Sequence, residues 1–282
     1  MANKGQYVLI TGASAGGIGH SLALEFASKG LNVLATVRDP SKATGLDRPN
    51  ITVLPLEVTK PESVAELKEK ISSITNGRLD ILVNNAGSNY TVPALDLDVE
   101  DVKQMFDANV FGVMRMVQAF APLLIETKGT IVQIGSLAGK MPYVFGSAYN
   151  ASKAALHSYS DTLRLELQPF GVRVLTIVTG GVKSNLARSE RVLRRDSIYL
   201  PIEPEYLRRV IHSQINGVPN EKYAKAVVAQ VVSRSWWTPN EIWQGGGSWL
   251  VWFAVNYLPR GTMERVFYRM FNLWKLEKRK RS

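Results

Sequence analysis

Short apolar runs rich in β-branched residues alternate with longer amphipathic stretches from residue 7 onward. This alternation limits the fold more than any other feature of the chain. YVLIT (7–11), NVLATV (32–37), ITVLPL (51–56), DILVN (80–84), TIVQIG (130–135) and VRVLTIV (172–178) have the length and residue types of buried strands. Between them, SLALEFASKG, PESVAELKEKISSI, VEDVKQMFDANVFGVMRMVQAFAPLLIE and SAYNASKAALHSYSDTLRLELQPF carry helical spacing. A strand followed by a helix, repeated, predicts a parallel sheet covered on both faces: an α/β, doubly wound architecture. Continuity through residue 185 predicts one catalytic domain over 1–240, with a variable loop near 183–218 and a further helix near 220–234. Residues 241–282 read as an apolar and basic C-terminal extension.

Composition narrows the chemistry. The chain has 282 residues, 45% of them hydrophobic, which is enough for a sizeable core. It has no cysteine, which excludes disulfides, thiolate metal sites and cysteine nucleophiles. The three histidines, His20, His157 and His212, lack ligand-like spacing and read as surface or helix residues, so no metal site is expected. MANKGQYVLITG enters the first strand almost at once, leaving no room for a signal peptide, and the expected location is cytosolic. A formal charge of +10 calls for phosphorylated small molecules or an anionic membrane surface as partner; with no nucleic-acid motif present, nucleic acid is not expected.

Two stretches carry chemistry. TGASAGGIGH (11–20) lies between the first strand and the first helix, where glycines permit a tight turn and let a helix N-terminus meet a pyrophosphate. Gly12, Gly17 and Gly19 take the three glycine positions, with Gly16 competing for the second. Arg38 ends the second strand, where an arginine suits a ribose 2′-phosphate and hence NADP(H); Asp39 beside it keeps NAD(H) open. GASAG (12–16) also matches a nucleophile elbow, which leaves a lipid hydrolase acting through Ser14 as a distant alternative. In YNASK (149–153), Tyr149 and Lys153 are four apart and share a helix face. An ammonium beside a phenol favours the tyrosinate, so the pair is a candidate acid/base device, although by itself it reads first as an ordinary helix surface.

The glycine turn, NNAG (84–87), the GS pair at 135–136 and YNASK follow one another in an order that resembles the short-chain dehydrogenase/reductase family, classical subgroup, over residues 5 to 185. The resemblance implies a Rossmann fold and roles for individual residues. Tyr149 is the general acid in reduction, and Lys153 lowers its pKa and holds the nicotinamide ribose. Ser136 binds the substrate carbonyl, and Asn109 keeps a water that relays protons to Lys153. The cofactor is expected to meet Gly12, Ser14, Gly17, Ile18, Gly19, Arg38, Glu57, Val58, Asn85, Ala86 and Gly87, together with Gly181, Val182 and Ser184 of TGGVKS (179–184). That last segment lacks the family's usual proline. GGIGH, NVFG, GSLAG and the C-terminal extension are similar to the 1-acyldihydroxyacetone-phosphate reductase branch. The resemblance implies an NADPH-dependent reduction of a lipophilic ketone, with 1-acyldihydroxyacetone phosphate the candidate substrate, and a homodimer as one assembly. The alternative is a soluble ketoreductase or alcohol dehydrogenase of specialised metabolism.

The C-terminus bears on that choice. GGGSWLVWFAVNYLP (245–259) is too short to span a bilayer. Met263, Val266, Phe267, Met270, Phe271 and Trp274 follow helical spacing, and Lys275, Lys278, Arg279, Lys280 and Arg281 come next. This pattern fits an amphipathic helix at the cytoplasmic face of the endoplasmic reticulum or of a lipid droplet. It also fits a helix packed on the body with a solvated tail, in a cytoplasmic protein. Arg188, Arg191, Arg194 and Arg195 flank the expected substrate loop, where they are candidates for attracting a phosphate.

Overall fold

β-Branched and aliphatic runs that stay buried on both faces can only sit inside a covered sheet, and the computed structural model places them there. It describes residues 5–184, 192–233, 239–259 and 261–281. Strands β1 (Tyr7–Thr11), β2 (Asn32–Val37), β3 (Ile51–Pro55), β4 (Ile81–Asn84), β5 (Thr130–Ile134), β6 (Arg173–Thr179) and β7 (Glu241–Gln244) form one sheet in the order β3-β2-β1-β4-β5-β6-β7. Every pairing is parallel. The helices alternate with the strands: α1 (Ile18–Ser28), α2 (Pro61–Thr75), α3 (Val99–Thr127) and α4 (Ser147–Leu167). They continue with α5 (Glu203–Val210), α6 (His212–Asn216), α7 (Asn220–Val232), α8 (Ser248–Tyr257) and α9 (Thr262–Met270).

The core lies in two layers, one on each sheet face. Val8, Ile10, Phe26, Leu31, Val227 and Ile242 pack on one side; Leu9, Leu82, Met116, Phe120, Ile131 and Leu156 pack on the other. Alternate residues of each strand feed opposite layers, as the pleat requires. The strand order reverses between β1 and β4, which opens a crevice beyond their C-terminal ends.

Two features depart from the sequence reading. β7 belongs to the sheet, so the catalytic fold runs past residue 240 into what reads as an extension. The glycines that follow it also have a structural task. Gly181 and Gly246 exchange two backbone hydrogen bonds of 2.9 Å, and a Cβ on Gly180 would lie 2.4 Å from the Gly246 carbonyl oxygen. Glycine against glycine thus holds the TGGV loop where the family's proline is missing, with Val218 N donating to Gly181 O on its other side.

The C-terminal helices divide their apolar residues. In α9 and just after it, Phe267 and Phe271 are buried against Phe145, Tyr206 and Ile202, with Met263 packed beside them. Tyr143 lies 5.4 Å from Phe267, ring to ring. In α8, Val251 is buried while Trp249, Leu250, Trp252, Phe253, Val255 and Tyr257 are exposed. Part of the apolar set of α9 therefore packs on the protein body, while Val266, Met270 and the following Trp274 stay exposed along with the larger apolar surface of α8.

Candidate active site

The glycine turn and the end of β4 are built against each other. Asn85 Nδ2 donates to the carbonyls of Thr11 (2.8 Å) and Gly12 (2.9 Å), and the amides of Asn85 and Ala86 both donate to Thr11 Oγ1 at 2.9 Å. A Cβ on Gly19 would stand 2.4 Å from Gly12 O and 2.5 Å from Asn85 Nδ2, so nothing larger than glycine fits. Of the two competing glycines, Gly16 carries the left-handed φ of 74° and Gly17 the extended N-cap of α1. No side chain caps α1, so Gly17, Ile18 and Gly19 present an uncapped helix N-terminus to the crevice. That cradle fits a dinucleotide pyrophosphate.

At the adenine end, Glu57 N donates to Ser63 Oγ, and Val58 is buried against Gly112. Arg38 is 82% exposed and only 3.9 Å from Glu57, so its guanidinium has room for a further anion. Asp39 is turned to Ser41, whose N and Oγ it accepts at 3.0 and 2.7 Å. Gly181 and Val182 border the crevice through the clamp described above; Ser184 closes the described part of that loop.

The hydride-transfer end is assembled by β5, α3 and α4. Tyr149 and Lys153 lie on one face of α4, both buried, with Lys153 Nζ 5.9 Å from the Tyr149 ring centre. Lys153 Nζ donates to Ile134 O at 2.9 Å, and burial brings its pKa down to about 8. The Ser136 side chain, which accepts from Ala138 N at 3.1 Å, lies near enough to the Tyr149 phenol to act on it. Burial pushes that phenol above its ordinary value, and Ser136 and Arg209 pull it back. The sequence reading had Lys153 in that lowering role. Lys153 Nζ stays 5.9 Å from the phenol ring while donating to Ile134 O, and Ser136 and Arg209 are two further groups that act on that phenol.

Asn109 sits in a π turn (Asp107–Phe111) that interrupts α3, the kind of local irregularity helices keep at functional sites. Its Oδ1 accepts from Ser88 N at 2.8 Å, and its Nδ2 donates to Ser88 O and Ser152 Oγ. The side chain thus ties the loop after β4 to α4, and a Cβ on Gly87 would collide with Oδ1 at 2.8 Å.

Two residues that sequence reasoning left aside belong to this site. His157 is buried, one turn beyond Lys153, and its Nε2 accepts the Ser136 N–H at 3.2 Å. Burial, with Lys140 and Lys153 nearby, takes its pKa to about 3, so it is a neutral acceptor. A Cβ on Gly135 would lie 2.3 Å from that nitrogen, and one on Gly139 would lie 3.0 Å from Cε1. The two glycines of GSLAG were the available signal: they make room for the imidazole. The second residue is Arg209 on α5, whose guanidinium stacks 3.7 Å over the Tyr143 ring and acts electrostatically on Tyr149.

The remaining histidines are engaged elsewhere, His20 with Thr44 O and His212 with the Tyr143 hydroxyl. None is therefore a partner for Ser14, and the hydrolase reading loses its base. No group of metal-binding side chains occurs among the described residues. Of the four basic residues flanking the substrate loop, Arg188 and Arg191 lie outside the described residues, Arg195 is exposed, and Arg194 is paired with Asp196 at 2.7 Å.

Comparison with known proteins fits this geometry. The family model for short chain dehydrogenases matches residues 6–193. The short-chain dehydrogenase virD of Hypocrea virens is 43% identical over 282 residues, covering 98% of this chain and 96% of that protein. The NADPH-dependent 1-acyldihydroxyacetone phosphate reductase of Schizosaccharomyces pombe is 43% identical over 258 residues, covering 85% and 86%. The crystal structure of a short-chain dehydrogenase from Streptomyces avermitilis superposes with a TM-score of 0.77 at 25% identity, covering 98% of each chain.

Proposed function

Because the chain belongs to the short-chain dehydrogenase/reductase family, we propose that it reduces a carbonyl on a small lipophilic molecule to an alcohol with NADPH. The observation that carries this reading is the placement of Tyr149 and Lys153, both buried on one face of α4 with Lys153 Nζ 5.9 Å from the Tyr149 ring centre, with Ser136 acting on the same phenol. A bound reduced nicotinamide supplies the hydride. The chain's own residues handle the charge that develops on the carbonyl oxygen. Ser136 donates to that oxygen and Tyr149 transfers its phenolic proton to it. A phenol whose pKa burial raises is protonated at neutral pH, the form an acid needs. Lys153, still largely protonated at pH 7, sits close enough to favour the tyrosinate left behind. Preference for the phosphorylated cofactor rests on Arg38, with Asp39 turned away to Ser41.

Two substrate classes share this chemistry. The better supported is a ketone or aldehyde of specialised metabolism, since the relative spanning 98% of the chain is named only as a short-chain dehydrogenase. The second is 1-acyldihydroxyacetone phosphate at a cytosolic membrane or lipid-droplet surface. The named relative covering 85% of the chain and the exposed aromatics of α8, backed by the basic C-terminus, favour it. The test is NADPH and NADH consumption across a panel of long-chain acyl ketones, aromatic aldehydes and simple ketones. Turnover with NADPH, weakened toward NADH parity in Arg38→Asp, is expected; no carbonyl consuming either cofactor refutes the reading.

A further inference from the structure

Arg209 is a buried cation without a counterion. The residue is 9% exposed, and among the described residues no hydrogen bond or ion pair engages its guanidinium; Nε is buried and unpaired. One face of the guanidinium lies 3.7 Å over the Tyr143 ring, which leaves its N–H edge for a planar acceptor. That edge lies beside the start of α4, since a Cβ on Gly146 would be 3.5 Å from Nη2, and Tyr149 follows three residues later.

No ion pair joins a carboxylate of this region to Arg209 among the described residues. Glu205, one turn earlier on the same helix, accepts from Asn272 and Lys275 through Oε1 and keeps Oε2 buried and unpartnered, and Asp96 accepts from Ser197. His212, in contact with Tyr143, is kept from protonation by burial and by Arg208 and Arg209. An unsatisfied acceptor beside the guanidinium, Asn150 Oδ1, is 3.1 Å from the same Gly146 position and is neutral. An unpaired charge taken out of water is costly, and an anion brought to it would offset that cost.

Building on the reductase reading, we propose that Arg209 is a substrate-specificity residue that binds an anionic oxygen group of the substrate, a carboxylate or a phosphate, and so turns the neighbouring carbonyl toward Ser136 and Tyr149. Arg209 is buried, stacked and unpaired, whereas the arginines flanking the substrate loop that the structure describes are solvated or paired. Phe267 and Phe271 pack against the Tyr143 ring, so the C-terminal helix supports the residue on which the guanidinium lies.

The experiment compares matched pairs of ketones: benzoylacetate against ethyl benzoylacetate, and 1-palmitoyl-dihydroxyacetone phosphate against its dephosphorylated form. Wild-type enzyme is expected to prefer the anionic member of at least one pair by about 10- to 100-fold in kcat/KM, the range of one charge-assisted contact. The pair that shows the preference tells carboxylate from phosphate. Arg209→Met is expected to erase it: the anionic member should lose about 10- to 100-fold more than the neutral member, whose own loss reports the influence of Arg209 on Tyr149. Equal loss on both members, or no wild-type preference in either pair, overturns the proposal. If Arg209→Met does not fold, judged by NADPH fluorescence, the wild-type preference alone decides. If no carbonyl consumes NADPH, the reductase reading fails separately; calorimetric titration of wild type with benzoylacetate and its ester then tests the subsite, and equal or absent binding overturns it.

Discussion

Lys153 is expected to cost stability in return for chemistry, and replacing it by methionine measures that cost. Its ammonium is buried, donates to Ile134 O, and titrates near 8 rather than at the ordinary 10.5. The folded protein thus gives up this proton more readily than the unfolded chain. Between about pH 8 and 10.5 unfolding takes up a proton, so this group makes stability rise with pH across that window. Below pH 8 both states are protonated and the folded state carries the whole cost, about 3 kcal/mol from the displaced pKa. Lys153→Met removes that cost but strands the Ile134 carbonyl, a loss of about 1–2 kcal/mol. At pH 7 the variant is therefore expected to be more stable than wild type by about 1–2 kcal/mol, and inactive. Urea denaturation of both proteins from pH 7 to 9.5 is the assay, with m-values compared to verify a common unfolded state. The gap should shrink by about 2 kcal/mol over that range, since only the charge depends on pH. A gap that stays constant or widens with pH refutes the reasoning.

Three further outcomes are expected. Gly19→Ala should raise the NADPH dissociation constant at least ~10-fold by fluorescence titration, because its methyl has to displace Gly12 O or Asn85 Nδ2; unchanged affinity contradicts the cradle as described. His157→Phe keeps a ring beside Gly135 but loses the bond to Ser136 N, so kcat should fall roughly 2- to 12-fold with NADPH affinity unaltered. Equal loss of cofactor binding would show a general packing role instead. Trp249→Ser with Trp252→Ser and Phe253→Ser should reduce co-sedimentation with phosphatidylserine-containing vesicles while turnover of a water-soluble ketone persists. Unchanged sedimentation removes α8 as a membrane contact. Substitution is preferable to deletion of residues 245–282, which would strip Gly246 from the TGGV loop and Phe267 from Tyr143.

What was legible in the sequence follows from how local each signal is. Strands β1 to β6 announce themselves through unbroken apolar, β-branched runs, and their ends fall within a residue or two of the expected positions. β7 escaped because EIWQ is an edge strand of four residues with only Ile242 buried; neither length nor alternation marks it. The helical spacing of α9 was visible, but not what it would pack against, since Tyr143 and Phe145 are more than a hundred residues away in the chain. The same applies within the site. Tyr149 and Lys153 are joined by one helix turn, so spacing finds them, whereas Arg209 reaches Tyr143 across the fold and His157 is visible only through the glycines that admit it. Electrostatics was the least legible part. Spacing together with the family resemblance gave Lys153 the role of acting on Tyr149, whereas the influence of Arg209 on the same phenol has no local signal in the chain.

The central claim is that Tyr149 delivers the proton when hydride reaches a carbonyl carbon in this crevice. Wild type and Tyr149→Phe, each incubated with NADPH carrying deuterium at C4 and with a ketone identified by the panel, test it most directly. The account predicts deuterium on the carbinol carbon of the wild-type product and none from the variant, although the variant still binds NADPH. Deuterated alcohol formed at the wild-type rate by Tyr149→Phe would contradict it.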